Sequence, residues 1–124
     1  RTADLAYVHK VYTTSDEKRA AHDQLSGTSL ENFNDILVEY EARTSIEAKI
    51  VKDADNLDID LELKELEEVG NTVAIKKGPL RKFVRDTKLY TKTAKTMWDE
   101  IKKSDPASWH LKANKWKRIP SAGR

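Results

Sequence analysis

The sequence has no cysteine, and it has only four glycines and three prolines. Without cysteine there is no disulfide framework, no thiolate nucleophile and no cysteine-ligated zinc. So few glycines and prolines argue against a turn-rich β-sandwich and against a low-complexity chain. No stretch reaches the roughly 18 apolar residues of a membrane-spanning helix, and no apolar run near the start has the form of a signal peptide. We therefore expect a cytoplasmic protein with no membrane partner.

The 124 residues are 38% apolar and 35% charged, a composition typical of one soluble, helix-rich domain. The chain opens on Arg1 rather than Met, and we expect it to be part of a longer polypeptide. Its small net charge of +2 hides a strong division, because residues 1–75 carry a net −9 and residues 76–124 a net +11. This pattern indicates either a nucleic-acid-binding tail or two parts that attract each other within one fold.

Capping boxes, in which Ser or Thr is followed three residues later by Glu, predict where helices begin. Three of them occur, at 14–17, 28–31 and 44–47. The third predicts the longest helix, over 46–69, with Gly70 as its C-terminal stop.

The rest of the chain continues the helical pattern. Residues 71–77 are predicted to be a loop, and Pro79 opens a single helix that runs to about Lys103, just before an Asp-Pro dipeptide ends it. We therefore predict an all-α protein with four helices. A helical bundle is expected over 1–104, and a basic tail over 105–124.

The predicted third helix contains four aspartates, although Asp is a weak helix former. Asp55 lies four residues after Val51, which widens the apolar stripe of the helix, and three before Asp58, so we expect it beside that stripe rather than in the middle of the solvated face. A carboxylate in that position needs a metal ion, a basic side chain or a hydrogen-bond network. The alternative is an ordinary solvated acidic face on which Lys52 pairs with Asp55.

Two other candidate groups have ordinary explanations. Asp4 alone is typical of an N-cap or a turn. His22 and Asp23 are adjacent, so their side chains diverge by about 100° on a helix, and their polar surroundings predict a surface pair.

The lysines and arginines of the last third suggest an alternative function. They suit a nucleic-acid backbone, with Trp109 and Trp116 stacking on bases. However, no nucleic-acid motif accompanies them, and we do not expect nucleic acid to be the partner. Several are spaced as the solvent face of an amphipathic helix: Arg81, Arg85, Lys88, Lys92 and Lys95.

Residues 51–58, Val-Lys-Asp-Ala-Asp-Asn-Leu-Asp, resemble the last motif of the HD-domain metal-dependent phosphohydrolases, in the branch of the bacterial 5′-deoxynucleotidases. The Glu-Tyr-Glu segment at 39–41 and the Thr-Ser-Ile-Glu-Ala segment at 44–48 are similar to the segments that introduce that motif. Residues 1–5, Arg-Thr-Ala-Asp-Leu, resemble the stretch after the family's His-Asp pair, with Ala3 where the family has Gly.

This resemblance implies an HD-like helical bundle that uses a divalent metal such as Mn, Mg or Co to remove phosphate from a nucleotide, in particular a (deoxy)nucleoside 5′-monophosphate. It implies Asp55 as a metal ligand and Asp4 as the group that holds or deprotonates the attacking water. Three further residues are implied as substrate contacts: Thr2, Lys52 and Glu41, with Glu39 as the alternative to Glu41. The family's first His and its His-Asp pair would precede this sequence, and its members often form homodimers. A degenerate HD scaffold without catalysis is the remaining alternative.

Overall fold

The computed structural model describes residues 12–108 of the chain. Within that range the chain forms six helices and no strand, which confirms the predicted all-α class. The helices are α1 (Glu17–Leu25), α2 (Phe33–Ala42), α3 (Ile46–Glu68), α4 (Thr72–Lys76), α5 (Gly78–Thr87) and α6 (Lys92–Lys103). None of these six is long and apolar enough to cross a lipid bilayer. The chain divides into two compact units, and the boundary lies inside α3, between Lys49 and Ile50.

In the first unit, α1 is capped by Asp16 rather than by Thr14, the residue that the first capping box predicts. The Asp16 carboxylate accepts a hydrogen bond from the backbone N–H of Arg19 at 3.0 Å. Aspartate is among the strongest N-caps, which explains why it takes the role from the nearby threonine. The helix ends before Gly27, whose φ of +72° is a left-handed value that glycine adopts without strain.

The second capping box closes a turn instead of capping a helix. The Thr28 hydroxyl donates to the carbonyl of Leu25 at 2.7 Å and accepts from the N–H of Leu30 at 3.2 Å. Because these bonds hold the chain in turns, α2 begins only at Phe33, later than the box at 28–31 predicts. It ends at Arg43, which has a left-handed φ of 54°.

The start of α3 agrees with the prediction from the third box, but the cap is Ser45 rather than Thr44, the residue that the box predicts. The Ser45 hydroxyl accepts a hydrogen bond from the N–H of Ala48 at 3.2 Å, and the helix runs from Ile46 to Glu68. Gly70 follows with a φ of +80°, the left-handed conformation that commonly ends a helix. Both boundaries therefore agree with the sequence prediction to within one residue.

The predicted loop over 71–77 is wrong, because it contains the short helix α4. The Asn71 side chain accepts hydrogen bonds from the backbone N–H groups of Val73 and Ala74, at 3.0 and 3.1 Å. This cap is strong enough to start a helix directly after the glycine stop.

The single helix predicted from Pro79 to about Lys103 is in fact two helices, α5 and α6. Pro79 lies in the first turn of α5, as expected. Residues 88–91 separate the two helices. The Thr91 hydroxyl then accepts from the N–H of Ala94 at 3.1 Å and caps α6.

The second unit has a small apolar core. It consists of Leu57 from α3, Leu89 from the α5–α6 connection, and Ala94 and Trp98 from α6, with Ile101 packed against them. Full burial of a leucine side chain contributes about 1.5–3 kcal/mol to stability, so a core of this size is modest.

The buried face of α3 differs from the predicted apolar stripe. Ile50 and Leu61 remain partly exposed, whereas Asp53, Asn56 and Asp60 are buried. Polar groups are buried at acceptable cost only when they have hydrogen-bond partners. The contacts of these polar residues therefore decide how the second unit is held together.

Candidate functional site

Asp55, the predicted metal ligand, lies on an exposed face of α3. Its side chain is 51% exposed, and its Oδ2 lies 2.5 Å from Nζ of Lys52, one turn earlier. The structure thus brings together the predicted metal ligand and one of the predicted substrate contacts. An exposed ion pair of this kind contributes only about 0.2–1 kcal/mol, so a charged ligand can displace it.

The other predicted site residues are distributed differently. Thr2 and the predicted catalytic residue Asp4 lie outside the described residues. Glu41 belongs to the first unit, near the end of α2, where its Oε1 is 3.8 Å from the Nη2 of Arg43.

His22 and Asp23 lie at the surface of the first unit, as the sequence predicts. The two side chains are well exposed, and His22 Nδ1 is 3.6 Å from Asp23 Oδ1. The hydroxyl of Ser26, one turn later, is within hydrogen-bond distance of the imidazole ring.

Residues 12–108 do not form a metal site by themselves. No three His, Cys, Asp or Glu side chains cluster closely enough in this range to hold an ion. The nearest charged neighbour of Asp55 is the ammonium group of Lys52, which repels a cation. Within the described range, Asp55 therefore offers a single carboxylate donor, and further ligands would have to come from other polypeptide.

Asp53, two residues before Asp55, is buried and has a structural contact. Its Oδ1 accepts from the N–H of Tyr90 and its Oδ2 from the N–H of Thr91, both at 2.8 Å. One carboxylate thus satisfies two backbone donors at the break between α5 and α6. Sequence reasoning missed this role, since the only local signal was an aspartate inside a helix.

Asp60 and Arg81 form a buried, bidentate ion pair between α3 and α5. The Nε and Nη2 of Arg81 each donate to one carboxylate oxygen of Asp60 at 2.7 Å, and Nη2 also donates to the carbonyl of Asn56 at 3.0 Å. The prediction that Arg81 lies on a solvent face is therefore wrong, since this residue is 2% exposed. Burial is tolerated because the guanidinium is paired and hydrogen-bonded.

Arg85 holds two carboxylates at the surface of α5 and α6. It donates to both oxygens of Asp99 and to Asp86. The hydrogen bond from Arg85 lowers the pKa of Asp99. Hydrogen bonds from Lys82 and then from Arg85 lower the pKa of Asp86, while Asp99 and Asp86 together raise the pKa of Arg85.

Much of the positive charge on α5 and α6 is thus neutralised locally. Lys102 joins the paired cations, because its Nζ lies 3.0 Å from both carboxylate oxygens of Glu67. Lys88 and Lys92 are exposed. Along these two helices the cations therefore do not form an unbroken positive surface of the kind that follows a nucleic-acid backbone.

Comparisons of the chain with protein-family models, with curated proteins and with solved structures find no match. What the described residues establish is the class, an α-helical protein whose second unit is held by buried polar contacts. The HD-domain resemblance of residues 51–58 stays a prediction.

Proposed function

We propose that the chain contributes to the active site of a metal-dependent phosphohydrolase that acts on a nucleotide, with a (deoxy)nucleoside 5′-monophosphate as the substrate. The observation that supports it is the exposure of the two residues that the resemblance names on α3, since the side chains of Asp55 and Lys52 are 51% and 35% exposed. Asp55 is proposed as one ligand of a divalent metal such as Mn, Mg or Co. Lys52 is proposed to bind the substrate phosphate.

The two groups suit these roles chemically. A carboxylate supplies the hard oxygen donors that such ions accept beside imidazole ligands, and an ammonium group binds phosphate as a point charge. A divalent ion in such a site polarises a phosphate oxygen and lowers the pKa of a bound water. Unlike Asp53, Asp55 accepts no hydrogen bond from a backbone N–H in the described range, so its oxygens can turn toward a ligand.

The surface around the pair also suits a site completed by other polypeptide. Val51, one turn before Asp55 on the same side of α3, is 54% exposed. A segment that brought further ligands to Asp55 would cover Val51 as well. By the resemblance, Asp4 would position the attacking water, and Thr2 and Glu41 would contact substrate. A cytoplasmic homodimer belongs to the same proposal.

The test is Asp55→Ala in the intact protein, including any polypeptide that precedes Arg1. We expect phosphate release from nucleoside 5′-monophosphates with Mn²⁺ to fall at least about 100-fold, because even the loss of an outer-shell partner of a metal ligand costs about 10–100-fold. Glu68→Ala is the control, since it removes the carboxylate of another lysine–carboxylate pair on the same helix, the one with Lys64. Unchanged turnover in Asp55→Ala would refute the proposal.

The alternative of a scaffold without catalysis is favoured by the same ion pair, because Lys52 already neutralises Asp55. It predicts that the intact protein neither releases phosphate nor binds Mn²⁺ in calorimetry, and that Asp55→Ala changes stability by no more than a surface pair does, about 0.2–1 kcal/mol. The same set of measurements therefore separates the two functions.

A further inference from the structure

A groove of about 490 Å³ runs between α3 and α6 in the second unit. Three of its lining side chains, Ile50, Leu61 and Met97, are 52%, 40% and 48% exposed. The floor is apolar and consists of Ile50, Ala54, Leu57 and Leu61 of α3 with Met97 and Ile101 of α6. Contiguous exposed apolar surface of this kind, when it has a polar edge, marks an interaction site.

The edge of the groove is acidic. Asp58 lines it, and Glu62 and Glu65 follow four and seven residues later on the same side of α3. On α6, Glu100 is exposed one residue before Ile101. Within residues 12–108 these four acidic side chains have no ion-pair partner, in contrast to Asp60 and the other paired acids of this unit.

The described residues that line the groove include no lysine or arginine. The charges needed to balance the acidic edge are therefore absent from the groove itself. A partner with positive charge on both sides of an apolar stripe would supply them, and would be selected over neutral or acidic partners.

We propose that this groove binds an amphipathic helix of a partner protein, with the apolar stripe of that helix on the floor and its lysine and arginine flanks against the acidic edge. Both walls are helices whose backbone groups are bonded internally, so an extended peptide would find no strand edge to join. A helix, by contrast, satisfies its own backbone. Ile50 and Leu61 are about 16 Å apart along α3, which matches three turns of a bound helix. The proposal is independent of the chemistry of Asp55.

The probe is a synthetic helical peptide of about 14 residues with a leucine stripe and lysine on both flanks, and a matched peptide has glutamate in place of every lysine. Each is titrated into the intact protein and followed by fluorescence anisotropy. We expect the lysine peptide to bind at least about tenfold more tightly at low ionic strength, and the difference to shrink as salt is added.

Two variants locate the binding. Glu62→Gln/Glu65→Gln is expected to weaken the lysine peptide about tenfold. The control Glu31→Gln/Asp35→Asn changes the charge equally at exposed positions of the first unit and is expected to have no effect. Met97→Ser tests the floor and should also weaken binding about tenfold, and circular dichroism checks that the fold is kept.

Several results would overturn the proposal. Equal affinity of the protein for the lysine and glutamate peptides would show that charge does not select the partner. Equal effects of the two double variants on affinity would show that the peptide binds outside the groove. No binding of the lysine peptide to the intact protein would contradict the proposal directly. If the intact protein sedimented as a dimer and Met97→Ser sedimented as a monomer, the groove would be an interface between two copies of this chain.

Discussion

At the residue scale, the buried charges of Asp60 and Arg81 link two helices of the second unit. Both are almost completely removed from water, and their two hydrogen bonds join α3 to α5 across 21 residues of sequence. Asp60 without Arg81 would be a buried carboxylate that lacks its counter-charge in a medium of low dielectric constant. The pair therefore fixes how these two helices pack.

Arg81→Met is expected to lower the free energy of unfolding by about 3–5 kcal/mol, because Asp60 then stays buried without its counter-charge. Arg81→Met/Asp60→Leu should be less destabilised than Arg81→Met alone, since the uncompensated carboxylate of Asp60 is then also removed. Urea denaturation of the two variants beside the unmodified protein measures both effects. If Arg81→Met/Asp60→Leu were less stable than Arg81→Met, the unpaired charge of Asp60 would not explain the loss of stability. The ion pair itself would then be a net stabilising contact.

At the element scale, the break between α5 and α6 is organised from α3. The Asp53 carboxylate binds the N–H groups of Tyr90 and Thr91, and Thr91 in turn caps α6. Leu89, in the same connection, is buried in the core. One buried acid thus ends one helix, places the start of the next and brings an apolar side chain inward.

Asp53→Ala is expected to destabilise the protein by about 1.5–3 kcal/mol, because two backbone donors lose a charged acceptor. Asp58→Ala is the matched control on the same helix, and as a surface change it should stay within about 0.5 kcal/mol. Urea denaturation gives both values, and hydrogen exchange at Tyr90 and Thr91 should become faster only in Asp53→Ala. Similar stabilities of the two variants would show that Asp53 does not hold the connection.

Helix boundaries that depend on contacts within one turn were predictable. Gly70 ends α3, and Pro79 lies in the first turn of α5, as their local chemistry indicates, while α3 begins where the third capping box predicts although Ser45 replaces Thr44 as its cap. The break at 88–91 was not predictable, because its decisive partner Asp53 is 37 and 38 residues away from the amides that it binds. No periodicity within the segment itself carries that information.

The same distinction, between contacts within one turn and contacts between distant residues, applies to the candidate site. The pairing of Lys52 with Asp55 is a contact between residues three apart, and the sequence already offered it as one alternative. The burial of Arg81 depends on Asp60, which lies on another helix, and helical spacing alone placed Arg81 in solvent. Spacing predicts contacts along a helix, but it does not predict which charged face a neighbouring helix covers.

At the scale of the whole molecule, the acidic and basic parts of the sequence meet within the second unit. Asp60 pairs with Arg81, and Glu67 pairs with Lys102. Of the two explanations for the charge division, these contacts support attraction within the fold for the described residues.

Acid is expected to destabilise the protein through Asp99 and Asp86, whose pKa values the basic partners lower in the folded state. A carboxyl with a lower pKa in the folded state than in the unfolded state stabilises the fold fully above its unfolded value, near pH 4. This contribution is lost as the pH falls through the lower folded pKa. Urea denaturation between pH 2 and 7 should therefore show stability falling below about pH 4. The decline should be shallower in Asp99→Asn, and the control Asp35→Asn should retain it. A decline that Asp99→Asn leaves unaltered would mean that the Arg85 contact does not contribute to acid sensitivity.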